Sequence, residues 1–249
     1  MRLKNKIALI TGASKGIGKT TALLLATEGA IIVVNYFSSK EDAFSVVDEI
    51  KKIGSEAIAI KCDVSKAEDV NSMVQEIIDK FGKIDILVNN AGVLIPKSFD
   101  ETTIEIWNKT IDSNLLGTYN CIKTVSKEMK KQKSGKIINL SSIASIVGSL
   151  SSAPYSVSKA GIDALTKTLA PEFGKFSITI NSVAPGPVNT ELMIDNYGQN
   201  VIDKLAGETP MGRIAEPEDI AKAILFFSSS DSDFVNGQTL IVDGGRIIR

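Results

Sequence analysis

A tyrosine and a lysine four residues apart, Tyr155 and Lys159, stand where a small-residue loop, Ser151-Ser152-Ala153-Pro154, gives way to a helix-period pattern. A helix starting near Tyr155 projects both side chains from one face. A free phenol has a pKa of about 10, too high for an efficient base at neutral pH. An ammonium held beside it favours the phenolate and lowers that value, so Tyr155 can exchange a proton with a substrate hydroxyl or carbonyl. The pair alone does not decide the matter, because Tyr and Lys one turn apart also occur on solvated helix faces. The chain has no histidine, which removes Ser-His-Asp and Cys-His catalysis and every zinc site that needs imidazole. Two cysteines, Cys62 and Cys121, are too few for an all-cysteine zinc centre. Proton transfer therefore falls to Tyr, Lys, Asp, Glu, Cys or water, and no metal is expected.

The elements that would position this pair begin with the apolar run Ile7–Ile10, which leads into Thr11-Gly12-Ala13-Ser14-Lys15-Gly16-Ile17-Gly18. An Ala/Leu-rich helix follows and closes at Gly29. Strand, glycine turn, helix is the context of a phosphate-binding loop: glycines let the backbone approach a pyrophosphate, and the helix N-terminus offers free N–H groups. The second strand, Ala30–Asn35, is apolar enough to be buried on both faces. An acid about 20 residues past the glycines would bind a ribose 2′-hydroxyl, and its absence leaves room for a 2′-phosphate. Here the strand runs out through Asn35-Tyr36-Phe37-Ser38 with no acid, and Lys15 and Lys40 lie close by. That pattern favours NADP(H) over NAD(H), with Glu41 and Asp42 as the opposing charges.

Alternation continues with a helix over Lys40–Ile53, a strand over Ala57–Lys61 running into Cys62-Asp63-Val64, a helix over Lys66–Phe81 and a strand over Ile84–Val88 ending in Asn89-Asn90-Ala91-Gly92. Strands separated by helices of this length imply right-handed βαβ units and a parallel sheet. Ligands in such sheets bind at the carboxyl ends of the strands, where Gly12, Asp63 and Asn90 fall. A long helix is expected over Ile104–Lys131, with Asn114 inside it, at a distortion facing the site or simply bonded locally. A fifth strand, Lys136–Ser142, delivers Ser142 to the same edge, and a sixth, Ser177–Ala184, leads into Pro185-Gly186. Residues Glu191–Met211 read as irregular, a substrate loop or lid over about 188–212. Glu216-Pro217-Glu218-Asp219 opens a last helix, and Thr239–Gly245 ends the sheet. The expectation is one α/β domain over residues 1–249: a doubly wound Rossmann fold, a central parallel sheet of about seven strands with helices on both faces.

Bulk composition narrows the partners. A formal net charge of −1 gives no electrostatic case for nucleic acid or an anionic membrane. The N-terminus has no signal-peptide pattern and no apolar run spans a bilayer, so a cytoplasmic protein with reduced thiols is expected.

Taken together, Thr11-Gly-x-x-x-Gly-Ile-Gly18, Asp63-Val64, Asn89-Asn-Ala-Gly92, Asn114, Ser142, Tyr155-x-x-x-Lys159 and Pro185-Gly186 resemble the short-chain dehydrogenase/reductase family over essentially the whole chain. The resemblance implies Asn114, Ser142, Tyr155 and Lys159 as a catalytic four. Ser142 would hydrogen-bond the substrate oxygen, Lys159 would lower the Tyr155 pKa and hold the nicotinamide ribose, and Asn114 would anchor a water linking Lys159 to solvent. The implied cofactor contacts are Gly12, Ser14, Lys15, Gly16, Ile17 and Gly18 in the glycine loop, Tyr36 and Ser38 after the second strand, and Asp63 and Val64 at the adenine. Asn90, Ala91 and Gly92 would pack along the adenosine ribose, Tyr155 and Lys159 would reach the nicotinamide ribose, and Pro185, Gly186, Val188 and Thr190 would border the nicotinamide. Two subfamilies look similar. Val34-Asn-Tyr36 and Asp243-Gly-Gly245 are similar to 3-oxoacyl-carrier-protein reductases; Asn35-Tyr36, Ser39–Asp42 and Glu49–Gly54 are similar to glucose 1-dehydrogenases. The first is favoured, although of the basic pair that docks an acidic carrier only Lys133 matches, with Phe176 at the other place and Lys175 beside it. A dinucleotide-binding sensor without catalysis is the reading from a different class, and a homotetramer paired through the long helices is the expected assembly.

Overall fold

The computed structural model describes residues 1–149 and 151–248. Among the described residues seven strands form one parallel sheet in the order β3-β2-β1-β4-β5-β6-β7. They are β1 (Ile7–Ile10), β2 (Ile31–Tyr36), β3 (Ala57–Lys61), β4 (Ile86–Asn89), β5 (Gly135–Leu140), β6 (Ile178–Pro185) and β7 (Thr239–Val242). The order reverses between β1 and β4, which pair through Ala8↔Ile86 and Ile10↔Val88. That reversal opens a crevice at the carboxyl ends of the strands.

Side chains alternate across a strand, and here both faces are covered. Ala8 and Ile10, Ile32 and Val34, Ile86 and Val88 join the core layer under α1 (Gly16–Thr27), α2 (Lys40–Lys52) and α10 (Pro217–Ser228). Leu9, Val33, Leu87 and Ile137 join the opposite layer under α3 (Ala67–Phe81), α5 (Gly117–Gln132) and α7 (Ala153–Gly174). Continuous apolar runs are the consequence of that double burial. The helices carry single stripes: α3 buries Val70, Met73, Val74 and Ile77, the spacing of one helical face, and ends at Gly82 in the left-handed region (φ 77°).

Two elements differ from the sequence expectation. The stretch expected as one long helix is α4 (Ile104–Ile111), a π-helical turn over Asp112–Leu116 and then α5. The extra residue of that turn bends the ladder at Asn114, which a period count over apolar residues does not register. The irregular stretch is two helices, α8 (Glu191–Tyr197) and α9 (Gln199–Glu208), parted at Gly198 (φ 72°). Thr190 caps α8 by accepting from the Met193 N–H (3.3 Å). A short α6 (Ala144–Val147) lies between β5 and α7. No helix of the described residues is long and apolar enough to cross a membrane.

Candidate active site

The glycine loop is built at the end of β1. Gly12 and Gly16 hold φ of 60° and 52°, conformations that cost an L side chain. A Cβ on Gly18 would meet the Gly12 carbonyl oxygen and, at 2.5 Å, Asn90 Nδ2. The loop is pinned from both neighbouring strands. Asn90 Nδ2 donates to the carbonyls of Thr11 and Gly12 (both 2.9 Å), and the N–H groups of Asn90 and Ala91 donate to Thr11 Oγ1 (both 3.0 Å). From β2, Asn35 Oδ1 accepts from the Gly12 N–H (3.2 Å) while its amide donates to the Cys62 carbonyl (3.2 Å). No side chain caps the N-terminus of α1. These features fit a dinucleotide pyrophosphate: backbone free to approach, a bare helix N-terminus, and a cradle that any Cβ would fill.

Around the loop, Lys15 pairs with Asp42 Oδ2 of α2 (3.3 Å) and Glu191 Oε2 of α8 (3.2 Å), so the expected free cation is shared between two acids. Tyr36 is buried edge-on to Phe44 (6.3 Å between centroids), whereas Ser38 is exposed. Asp63 Oδ1 accepts from the N–H and hydroxyl of Ser65 (3.1 and 2.7 Å), and Val64 packs under Gly117. Ser14 lies in the turn before α1 and Ile17 in the first turn of the helix.

Across the crevice, Ser142 follows β5 and its Oγ accepts from the Ala144 N–H (3.1 Å). Helix α7 begins at Ala153, two residues ahead of Tyr155, with Pro154 in its first turn. Tyr155 and Lys159 share a face, the Lys159 ammonium 5.6 Å from the Tyr155 ring centroid. Lys159 is buried, and its Nζ donates to the Leu140 carbonyl (2.6 Å). Burial pulls its pKa down to about 8, with Asp163 acting in the opposite direction, a cost to the ammonium form of about 3 kcal/mol. Here the structure corrects an expectation. The Tyr155 phenol stands above its ordinary pKa, pushed up by burial; a hydrogen bond with Ser142 pulls it back, and nearby Tyr197 adds to the rise. The reason is physical: the phenolate loses hydration, while the Lys159 ammonium is held by a backbone carbonyl.

Asn114 is fully buried in the π turn. Its Oδ1 accepts from the Val93 N–H (2.7 Å), and its Nδ2 donates to the Val93 carbonyl (3.0 Å) and Ser158 Oγ (3.1 Å). The amide therefore clamps the loop after β4 to the residue beside Lys159, and Gly92 leaves room for it, since a Cβ there would lie 3.0 Å from Oδ1. At this helix distortion the amide is bonded across the fold, to Val93 and Ser158, and not to its own turn. Pro185 ends β6 and Gly186 follows it, close against Asp243. Val188 bridges to Ala215, and Thr190 faces Gly16, whose Cβ would stand 3.4 Å from Thr190 Cγ2.

Sequence reasoning passed over several residues of this site. Asn35 looked like the end of a strand; the glycine loop hangs on it. Tyr197 of α8 meets Ser151 hydroxyl to hydroxyl (2.6 Å), joining the helical pair to the loop before α7. Asp163 lies one turn beyond Lys159, a spacing that extends the Tyr155–Lys159 interval and was legible.

The comparisons with known proteins agree with this geometry. The family model described as Enoyl-(Acyl carrier protein) reductase matches residues 12–246. The 3-oxoacyl-[acyl-carrier-protein] reductase FabG of Staphylococcus epidermidis is 42% identical over 97% of this chain and 98% of its own length. The (2S)-[(R)-hydroxy(phenyl)methyl]succinyl-CoA dehydrogenase subunit BbsD of Thauera aromatica is 40% identical over 99% and 98%. Among solved structures, levodione reductase superposes with a TM-score of 0.95 at 29% identity, covering 98% of both chains. A seven-stranded parallel sheet with this crevice, and relatives matched along nearly their full length, place the chain in the short-chain dehydrogenase/reductase family, enzymes that move hydride between a nicotinamide cofactor and a carbonyl or alcohol carbon.

Proposed function

We propose that the chain reduces 3-oxoacyl thioesters, of the kind borne by an acyl carrier protein, with NADPH. The observation that carries the reading is the meeting of Ser142, Tyr155 and Lys159 beside the glycine cradle; the substrate class is supported by the name of the Staphylococcus epidermidis relative.

The glycine loop from Gly12 to Gly18 and the N-terminus of α1 would hold the pyrophosphate, with Asp63 and Val64 at the adenine and Asn90, Ala91 and Gly92 along the adenosine ribose. Tyr155 and Lys159 would hold the nicotinamide ribose, and Pro185, Gly186, Val188 and Thr190 the nicotinamide edge. When bound, the cofactor supplies the hydride to the carbonyl carbon. Ser142 holds the substrate oxygen and stabilises the charge that develops there. Tyr155 gives that oxygen its proton. A phenol pKa raised by burial keeps the proton on Tyr155 at neutral pH, the form a reductase requires, and an alkoxide is basic enough to take it. The Lys159 ammonium then faces the phenolate left behind and stabilises it. Asn114 keeps α7 in register with the loop after β4.

NADP is preferred in this reading because no acid ends β2 and Lys15 can turn from Asp42 and Glu191 to a 2′-phosphate. Residues 188–212, with α8 and α9, form the lid of a single domain spanning residues 1–249. A cytoplasmic setting accords with two buried free thiols. The homotetramer rests on an apolar groove of about 540 Å³ on the outer side of α7, lined by Ile111, Leu115, Leu116, Tyr119 and Leu165, which a second copy would fill. Lys133, exposed at the end of α5, is the carrier-facing cation of this reading.

Purified protein should be assayed with NADPH or NADH against an acetoacetyl thioester of acyl carrier protein, the same thioester of a small thiol, a panel of ketones, and glucose in the oxidative direction. Highest kcat/KM for the carrier-bound thioester with NADPH is expected. Glucose oxidation exceeding every thioester reduction would move the reading to a sugar dehydrogenase, and binding without any turnover to a sensor.

A further inference from the structure

Tyr155, Lys159 and Asp163 follow one another at four-residue intervals along α7 and so share one face. The proposed reaction uses the first two and gives Asp163 no part. Yet Asp163 is 9% exposed, and a buried carboxylate is expensive unless it is partnered. Its partners come from two other elements. The Ser145 hydroxyl of α6 donates to Oδ2 (2.6 Å) and the Thr239 hydroxyl of β7 donates to Oδ1 (3.1 Å). That same Ser145 hydroxyl lies 2.7 Å from the Ser142 carbonyl, which also accepts from the Ser145 N–H (3.0 Å). Asp163 is thus one hydrogen bond from the residue that fastens the Ser142 turn.

We propose that Asp163 is a positioning residue of this active site: its carboxylate docks the turn carrying Ser142 onto the helix carrying Tyr155 and Lys159, and supplies the negative charge facing the buried Lys159 ammonium. The inference rests on reading Ser142, Tyr155 and Lys159 as the reacting groups. Around Lys159, the titratable groups on its own helix are Tyr155 and Asp163. From β5 the ammonium meets the Leu140 carbonyl, the Ser141 hydroxyl just beyond donates to the Lys159 backbone carbonyl, and the groups reaching Asp163 from α6 and β7 are hydroxyls. Tyr197 of α8 acts on Tyr155. Asp112 of the π turn lines the groove beside Gly161 and Ala164, on the other side of α7. Asp163 is therefore the acid that opposes the burial of Lys159, whose pKa stands at about 8. The sign follows: without the carboxylate, only the Leu140 carbonyl opposes desolvation and Lys159 loses its proton at lower pH.

The test compares wild type, Asp163→Asn, Asp163→Glu, Ser145→Ala and Tyr155→Phe by pH profiles of kcat/KM for reduction, thermal melts and fluorescence titration of NADPH. The Lys159 side chain is also titrated by NMR of ε-13C-lysine protein, its signal identified by loss in Lys159→Arg. In Asp163→Asn, the Lys159 titration and the basic limb of the profile should both move down by about one pH unit, with kcat reduced and NADPH affinity retained. Asp163→Glu, which keeps the charge, should keep the limb. Ser145→Ala, which removes the docking and leaves the charge, should lower kcat without moving the limb. A lower Tm in Asp163→Asn with both titrations unmoved would mean a structural role and overturn the inference, as would wild-type kcat in Ser145→Ala. Should Asp163→Asn not fold, Ser145→Ala and Asp163→Glu decide it alone. Turnover surviving in Tyr155→Phe would instead remove the underlying assignment of reacting groups, an outcome read independently of Asp163.

Discussion

At the scale of single residues, the proposed mechanism depends on charges placed where burial makes them costly. Lys159 is held protonated against desolvation by the Leu140 carbonyl and by Asp163, and the partly buried Tyr155 phenol is held neutral by its own loss of hydration. Both states suit an acid that must give up a proton only when a more basic oxygen arrives. Lys15 presents the opposite case, an exposed cation shared between Asp42 and Glu191. Exposed pairs of this kind are weak, so a phosphate dianion can displace them. Replacing Lys15 with alanine is expected to weaken NADPH binding about tenfold, the equivalent of about 1.4 kcal/mol, and to leave NADH binding nearly unchanged. Equilibrium fluorescence titration with both nucleotides checks it; equal losses for the two would refute a 2′-phosphate role.

At the scale of elements, what was legible followed from periodicity and what was not followed from local backbone geometry. The central strands announce themselves because a doubly covered sheet needs apolar runs, as in Ile31–Val34 of β2. The helices over Lys40–Lys52 and Ala67–Phe81 show through their stripes and their closing glycines. Periodicity is blind to one added residue, so Asn114 was legible as a polar intruder whose two fates stayed open, while the π turn that turns its amide toward Val93 and Ser158 was not. Likewise α8 and α9 bury almost nothing of their own, with Ile202 the buried residue of α9 and none in α8; without a core-facing stripe they read as irregular. The phenol pKa was misjudged for a related reason. Spacing puts Lys159 beside Tyr155, but only the packing determines which oxygen the ammonium holds.

At the scale of the whole molecule, the chain leaves apolar surface that its own sheet does not use. Leu116 and Tyr119 are exposed along the groove on α7, and Phe234, fully exposed, stands near the outer edge strand β7 with Leu240. The proposed homotetramer would bury both patches, one at each of two two-fold interfaces. Sedimentation equilibrium at micromolar concentration should give a species of four 26.6 kDa chains, and replacing Leu116 and Tyr119 with lysine should yield smaller species. A single species at the chain mass would remove the assembly from the account.

The central claim is that Tyr155 is the proton donor of a hydride-transfer site, and Tyr155→Phe tests it most directly. Steady-state reduction of the acetoacetyl thioester is measured beside NADPH affinity in the same preparation. Turnover is expected to fall by a factor on the order of 100 to 10,000 while NADPH binds almost as it does to the wild type. Turnover near the wild-type rate in that variant would contradict the account.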